Sequence, residues 1–183
     1  MNVVVVTPPG PLVSLEEAKL HLRVDADDDD DVIEALIAAA SAHMDGPEGW
    51  LGRAIGQQQV VANAWCFAGH NFALPLLPVI SVQSLNYLDS DNVEQAVDQN
   101  DYKVSGGRIW LRNGYSLPSL YSTHDAVRVA YTAGYAEIPA PLKVAALLHV
   151  GTLYQNRESV GEAQDVLPHA YEALCAPYRV WRV

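Results

Sequence analysis

The chain of 183 residues carries 22 acidic and 11 basic side chains, a net charge of −11, and 50% hydrophobic residues. A chain of this length makes one domain that buries about 70% of its extended surface, so a core forms without staples. The acidic balance argues against a DNA or RNA binder, whose affinity comes from basic groups neutralising phosphates, and no apolar run approaches the ~20 residues of a membrane helix.

The first segment, Val3 to Val6, is apolar on both faces and is ended by Pro8, Pro9 and Gly10. With no basic region before it, it is no signal peptide, so the chain is expected to be soluble and made in the cytoplasm. It reads equally as a strand added to a sheet or as an arm laid on a neighbouring subunit. Ser14 followed by Glu17 is a capping box, which starts a helix at Leu15 with Leu15, Ala18 and Leu22 on one face. After a run of aspartates, Val32, Ile33, Leu36, Ile37, Ala40 and Met44 recur at helical spacing and predict a second helix of about four turns. Gly46-Pro47-Glu48-Gly49-Trp50 and Gly52 to Gly56 hold too many breakers to continue it, and Trp50 and Ile55 are expected to pin this turn to the core.

From Gln57 the period changes. Gln57 to Phe67, Val79 to Leu88, Val93 to Val97, Tyr102 to Val104, Arg108 to Leu111 and Ala126 to Thr132 read as strands, about six in an antiparallel unit. Asp89 to Asn92 and Ser105-Gly106-Gly107 are the hairpin turns. Leu74 to Pro78 is no central strand, because each proline lacks a ladder donor. Helical period returns at Leu142, Ala145, Ala146, Leu148, His149, Leu153 and Tyr154, with Pro141 in the first turn, where its missing N–H costs nothing. Glu158 to Asp165 reads as a polar loop and Pro168 to Ala176 as a short last helix.

The most conspicuous chemistry is the run Asp25, Asp27, Asp28, Asp29, Asp30 and Asp31. Asp25, Asp27 and Asp29 have the spacing of the first ligands of a calcium loop, but that loop needs glycine at its sixth position and glutamate at its twelfth, where this chain has Asp30 and Leu36. The expected role is a helix N-terminus, with carboxylates capping free N–H groups at the positive end of the macrodipole. So many like charges also suggest a basic neighbour or a negatively lined channel. The six histidines make no metal-binding pair, and His43 and His149 fall in amphipathic helices as packing residues. His124-Asp125 is the one arrangement that would orient an imidazole as a general base. No serine elbow is present, and Ser105-Gly106-Gly107-Arg108 lacks the lysine and hydroxyl of a phosphate loop. Cys66 and Cys175 match no metal spacing; a disulfide stays open, with buried free thiols the expectation. Tyr178, Arg179, Trp181 and Arg182 are of the types that dominate interface hot spots, so the C-terminal tail either meets a partner or folds back on its own core.

The ordered set of these pieces resembles the phage head-tail connector (adaptor) family, in its longer form with a β insert. The matching pieces are residues 11–25, Ile33 to Ala40 behind the aspartates, Gly52-Arg53-Ala54-Ile55, the strand and hairpin at 79–97, Ala126 to Val129 with Thr132 to Tyr135, Ile138 to Lys143, Tyr154 to Glu158, and Ala176 to Arg179. The resemblance implies an α+β fold, a small helical bundle of about four helices with the β unit inserted. One domain would span 1–183, with bundle helices in 14–50 and 141–176, the β insert at 57–134 and an interaction tail at 177–183. It implies a structural protein rather than an enzyme, with no cofactor or metal and neither sequence-specific nucleic acid nor membrane as partner.

Its members form a ring beneath the portal, twelvefold like the portal, and carry the stopper or tail. The chain would then sit in the neck of a tailed phage, a prophage or a gene-transfer particle. Tyr178, Arg179, Trp181 and Arg182 would meet the portal protein. Asp27, Asp28, Asp29, Asp30 and Asp31 would line a lumen that passes DNA without holding it. Two other readings stand beside it: a small metal-dependent or hydrolytic enzyme using Asp25 to Asp31, and a cytoplasmic binding module that joins no particle.

Overall fold

A computed structural model describes residues 2–156 and 169–180. The chain divides into two compact units, Met1–Pro9 with Gln57–Ala136, and Gly10–Gly56 with Glu137–Val183. The first is built of strands and the second of helices, so the fold is α+β.

In the β unit, the valine run left open between strand and arm is the edge strand β1 (Asn2–Thr7), antiparallel to β2 (Gln58–Ala64) with Val4 opposite Val61. The sheet continues through β8 (Val127–Ala133) and β4 (Val79–Leu88) to β5 (Glu94–Ala96), in the order β1-β2-β8-β4-β5. Alternation sends Val60, Ala62 and Ala64 of β2 and Val127, Val129, Tyr131 and Ala133 of β8 to one buried face. A second sheet, β3-β7-β6, joins Asn71–Ala73, Arg108–Leu111 and Tyr102–Ser105. Gly106 and Gly107 turn between β6 and β7 at φ 58° and 71°, the left-handed pair that a two-residue hairpin requires.

Eight strands form among the described residues, against about six expected. β1 settles the open alternative, and β3 was not anticipated because three residues show no period. The strand expected to reach Phe67 ends at Ala64, beyond which Trp65 stands exposed.

In the helical unit, α1 (Leu15–Leu22) begins as the capping box dictates. The Glu17 N–H donates to Ser14 Oγ at 3.1 Å, and the Ser14 N–H donates to Glu17 Oε2 at 2.9 Å. Helix α2 (Asp30–Met44) buries Ile33, Ile37, Ala40 and Met44, one stripe of its expected apolar set, while Val32 remains exposed. It packs on α3 (Ala140–Gln155), which in turn packs on α4 (His169–Cys175), and α1 touches both α2 and α3. The polar loop expected at Glu158 to Asp165 lies outside the described residues.

The Glu17 carboxylate also accepts from Lys143 Nζ at 3.2 Å. The Ser14 N–H first, and Lys143 after it, hold its pKa below the usual glutamate value. A lowered carboxylate pKa contributes stability above the ordinary glutamate range and loses it as pH falls through the lowered value. Ser14→Ala is accordingly expected to cost about 1 kcal/mol at neutral pH, and Glu17→Gln to lose less stability than the wild type on acidification. Thermal melts across an acid series check both, and equal acid sensitivity of the two proteins would contradict the assignment.

Candidate functional site

The first candidate is the aspartate run at the start of α2. Lys19, on α1, places its ammonium 2.7 Å from Asp27 Oδ1 and 2.6 Å from Asp30 Oδ1. These bonds, Asp27 first, raise the Lys19 pKa, and the same contact lowers that of Asp27. Tyr154 of α3 donates its hydroxyl to Asp29 Oδ2 at 2.5 Å. Asp25, Asp28 and Asp31 stand exposed, with no ion-pair partner among the described residues.

One expectation changes here. Asp29 occupies the N-cap position, yet its side chain caps no helix N–H, because its carboxylate accepts from Tyr154 instead. Asp30 and Asp31 do lie in the first turn, where the macrodipole favours negative charge. The chelating alternative meets a lysine: Lys19 sits between Asp27 and Asp30, where a cation bridging them would have to be. Among the described residues, no three His, Cys, Asp or Glu side chains converge as a metal site requires.

The second candidate is the turn after α2 together with the C-terminal tail. Asp45, buried at the helix end, accepts the N–H groups of Ile55 at 2.7 Å and Gly56 at 2.8 Å, which closes the breaker-rich loop. Inside it, Gly49 is packed so tightly that a Cβ would come within 2.4 Å of the Asp45 carbonyl oxygen. The loop presents Trp50 to an aromatic cluster. His43 stacks on Trp50 with centroids 6.4 Å apart and meets His149 edge-on at 5.0 Å, while Tyr171 lies 5.7 Å from Trp50 and 5.5 Å from His149. Burial, with the neighbouring His43 second, depresses the His149 pKa; burial likewise raises the Tyr171 hydroxyl well above its usual range.

Arg179 closes this cluster, its guanidinium carbon 4.2 Å from the Trp50 ring centroid. The Val180 N–H donates to Leu51 O at 2.9 Å. Residues 178–180 are thus laid on their own helical unit, half-buried, while Trp181 and Arg182 lie outside the described residues. The predicted tail and the predicted pinning residue Trp50 come together. The contact itself was not legible, since nothing local links two positions so far apart in sequence. Asp45 was also missed, although a carboxylate between a helix end and a Gly-Pro turn is a readable signal for a loop anchor.

The remaining candidates disperse. Both oxygens of Asp125 are occupied, Oδ1 by Thr123 Oγ1 at 2.9 Å and Oδ2 by Arg128 at 2.6 Å, so His124 gains no orienting carboxylate from it. Cys66 and Cys175 are free thiols, and burial pushes the pKa of Cys175 up to about 11. No helix among the described residues is long and apolar enough to cross a membrane.

Residues 11–164 match the family model described as head completion protein. Among solved structures, the chain is similar to one from the virion of a native gene transfer agent (GTA) particle, with TM-score 0.78 and 22% identity over 100% of this chain and 97% of the other. It is also similar to a chain in the neck of an empty GTA particle with C6 symmetry, with TM-score 0.75, 24% identity and the same coverage. A chain in the neck of a native GTA particle with C12 symmetry gives TM-score 0.69 at 23% identity, again over 100% of this chain and 97% of that one. No curated protein matches.

Proposed function

The chain belongs to the head completion protein family, and from that premise we propose that it is a structural adaptor between the head and tail of a phage or gene-transfer particle. The observation that carries this is the family match over residues 11–164, joined to a fold held in common with neck chains from end to end. In this reading the protein acts by assembly rather than catalysis. Copies form a ring, twelvefold as in the C12 neck, with the portal protein on one side and a stopper or tail-completion protein on the other.

Tyr178, Arg179, Trp181 and Arg182 are assigned to the portal contact. The support is their residue types, those that dominate interface hot spots; Arg179 on Trp50 and Val180 on Leu51 instead follow the fold-back alternative for that part of the tail. Asp27 to Asp31 are assigned to the wall of the DNA channel. Their support is the exposure of Asp28 and Asp31, which have no ion-pair partner among the described residues, while Lys19 offsets Asp27 and Asp30; a net negative wall repels phosphate and lets the duplex pass. The enzymatic alternative has less support, since Lys19 already neutralises two of the carboxylates it would use.

Electron microscopy of purified particles tests all of this together. The expected map has a ring of this chain at the portal vertex, its C-terminal segment toward the portal and the start of α2 toward the axis. Absence of the chain from purified particles would overturn the adaptor reading and favour a binding module outside the particle.

A further inference from the structure

In a chain with twice as many acidic as basic residues, the stretch from Tyr102 to His124 contains no Asp or Glu, yet holds Lys103, Arg108 and Arg112. It begins with the β6–β7 hairpin. Alternation in β7 turns Ile109 and Leu111 inward and leaves Trp110 46% exposed, far more than a core aromatic would be. The register sets Trp110 between Lys103 of β6 and Asn71 of β3. Arg108, on the same face, donates to Asn71 Oδ1 at 2.7 Å and holds its guanidinium carbon 6.0 Å from the Trp110 centroid. The outer face of the three-stranded sheet is therefore a tryptophan framed by basic groups.

The carboxylates flanking this stretch do not fully neutralise it. Asp125 is paired with Arg128, which leaves Asp98 and Asp101 against three cations. Tryptophan and arginine are the residues most enriched at the energetic centres of interfaces, and tryptophan is the best partner for a cation.

We propose that this face is the contact by which one copy of the chain docks on the next. The argument for a second copy is charge. A neighbour of net charge −11 is the acidic partner that a basic patch attracts, and elsewhere two such chains repel. The contact is heterologous, since the basic face meets an unlike surface on its neighbour, and heterologous contacts are what close a ring. The proposal rests on the ring-forming adaptor reading above and adds the surface that builds the ring.

The test adds purified chain to portal-bearing heads that lack it and measures ring occupancy by electron microscopy. Lys103→Glu/Arg112→Glu, both at exposed positions, is expected to need at least tenfold more chain than the wild type for equal occupancy, with an unchanged melting temperature. Trp110→Ala is expected to fail similarly without any change of charge, and rising salt to weaken assembly of the wild type. Single variant chains bound to heads that do not close into rings would support the contact. Complete rings of the charge variant at the wild-type concentration would overturn it. So would loss of even single-chain docking, which would assign the face to the portal. A wild-type chain that never docks would overturn the adaptor reading itself, and this contact with it.

Discussion

Asp45→Ala is expected to destabilise the protein by about 3–5 kcal/mol, because each N–H it leaves behind loses a charge-assisted bond in a buried site. Those donors are Ile55, fully buried, and Gly56, held at 2.7 and 2.8 Å. The alanine cannot accept, and both donors lie in a buried site. For a chain of this size such a loss lowers the melting temperature by roughly 10 °C. Asp45→Asn keeps one carbonyl acceptor and should lose about half as much. A melt of Asp45→Ala within a degree or two of the wild type would show that the loop closes without its anchor. The substitution should also free Trp50, and with it the platform beneath Arg179, so the C-terminal segment should gain protease sensitivity in parallel.

The β unit has its own dependence on one residue. Tyr131 of β8 is fully buried, and its hydroxyl accepts the Leu76 N–H at 3.2 Å, tying the proline-rich connector to the sheet. Tyr131→Ala removes a large core side chain and is expected to cost about 3–5 kcal/mol. Tyr131→Phe keeps the ring but leaves the Leu76 donor unmatched, which costs about 1–2 kcal/mol. The two variants thus separate packing from hydrogen bonding.

Burial pushes the Tyr131 pKa from 10.0 up to about 12. Below 10 the phenol is neutral in both folded and unfolded chains and its full contribution is present. As pH rises toward 12, the unfolded chain ionises while the folded one does not, so stability falls. Tyr131→Phe should therefore lose less stability than the wild type over that alkaline range. Parallel curves from denaturant titrations would contradict the buried-phenol account.

What could be read beforehand was whatever has a local cause. Ser14 and Glu17 announce the start of α1 because both halves of the box lie within one turn. The two-residue glycine turn announces the β6–β7 hairpin because glycine takes both positive φ values without steric cost. The alternating valines of β8 announce a half-buried strand but not that it is central, since periodicity carries no information about neighbours. The pairs that assemble the candidate surfaces were not legible for the same reason. Tyr154 with Asp29, Lys143 with Glu17 and Arg179 with Trp50 join opposite ends of the chain. The aspartates were expected to cap helix N–H groups, as their residue type favours; tertiary structure offered Asp29 a better donor.

The strand order carries one more consequence. β8 lies between β2 and β4, yet it is the last strand of its sheet to be made. On a ribosome adding about 5–20 residues per second, β2 and β4 emerge with their inner edges bare, and those edges wait for β8 although β1 and β5 can already pair the outer ones. The helices wait as well, since α1 and α2 precede β2 to β8 while α3 and α4 follow them. The sheet stays incomplete until β8 is made and the bundle until α4 is, and a chain released before then exposes valine-rich edges prone to aggregation. Synthesis itself thus acts as a checkpoint, withholding a competent subunit until the last of these elements has been made.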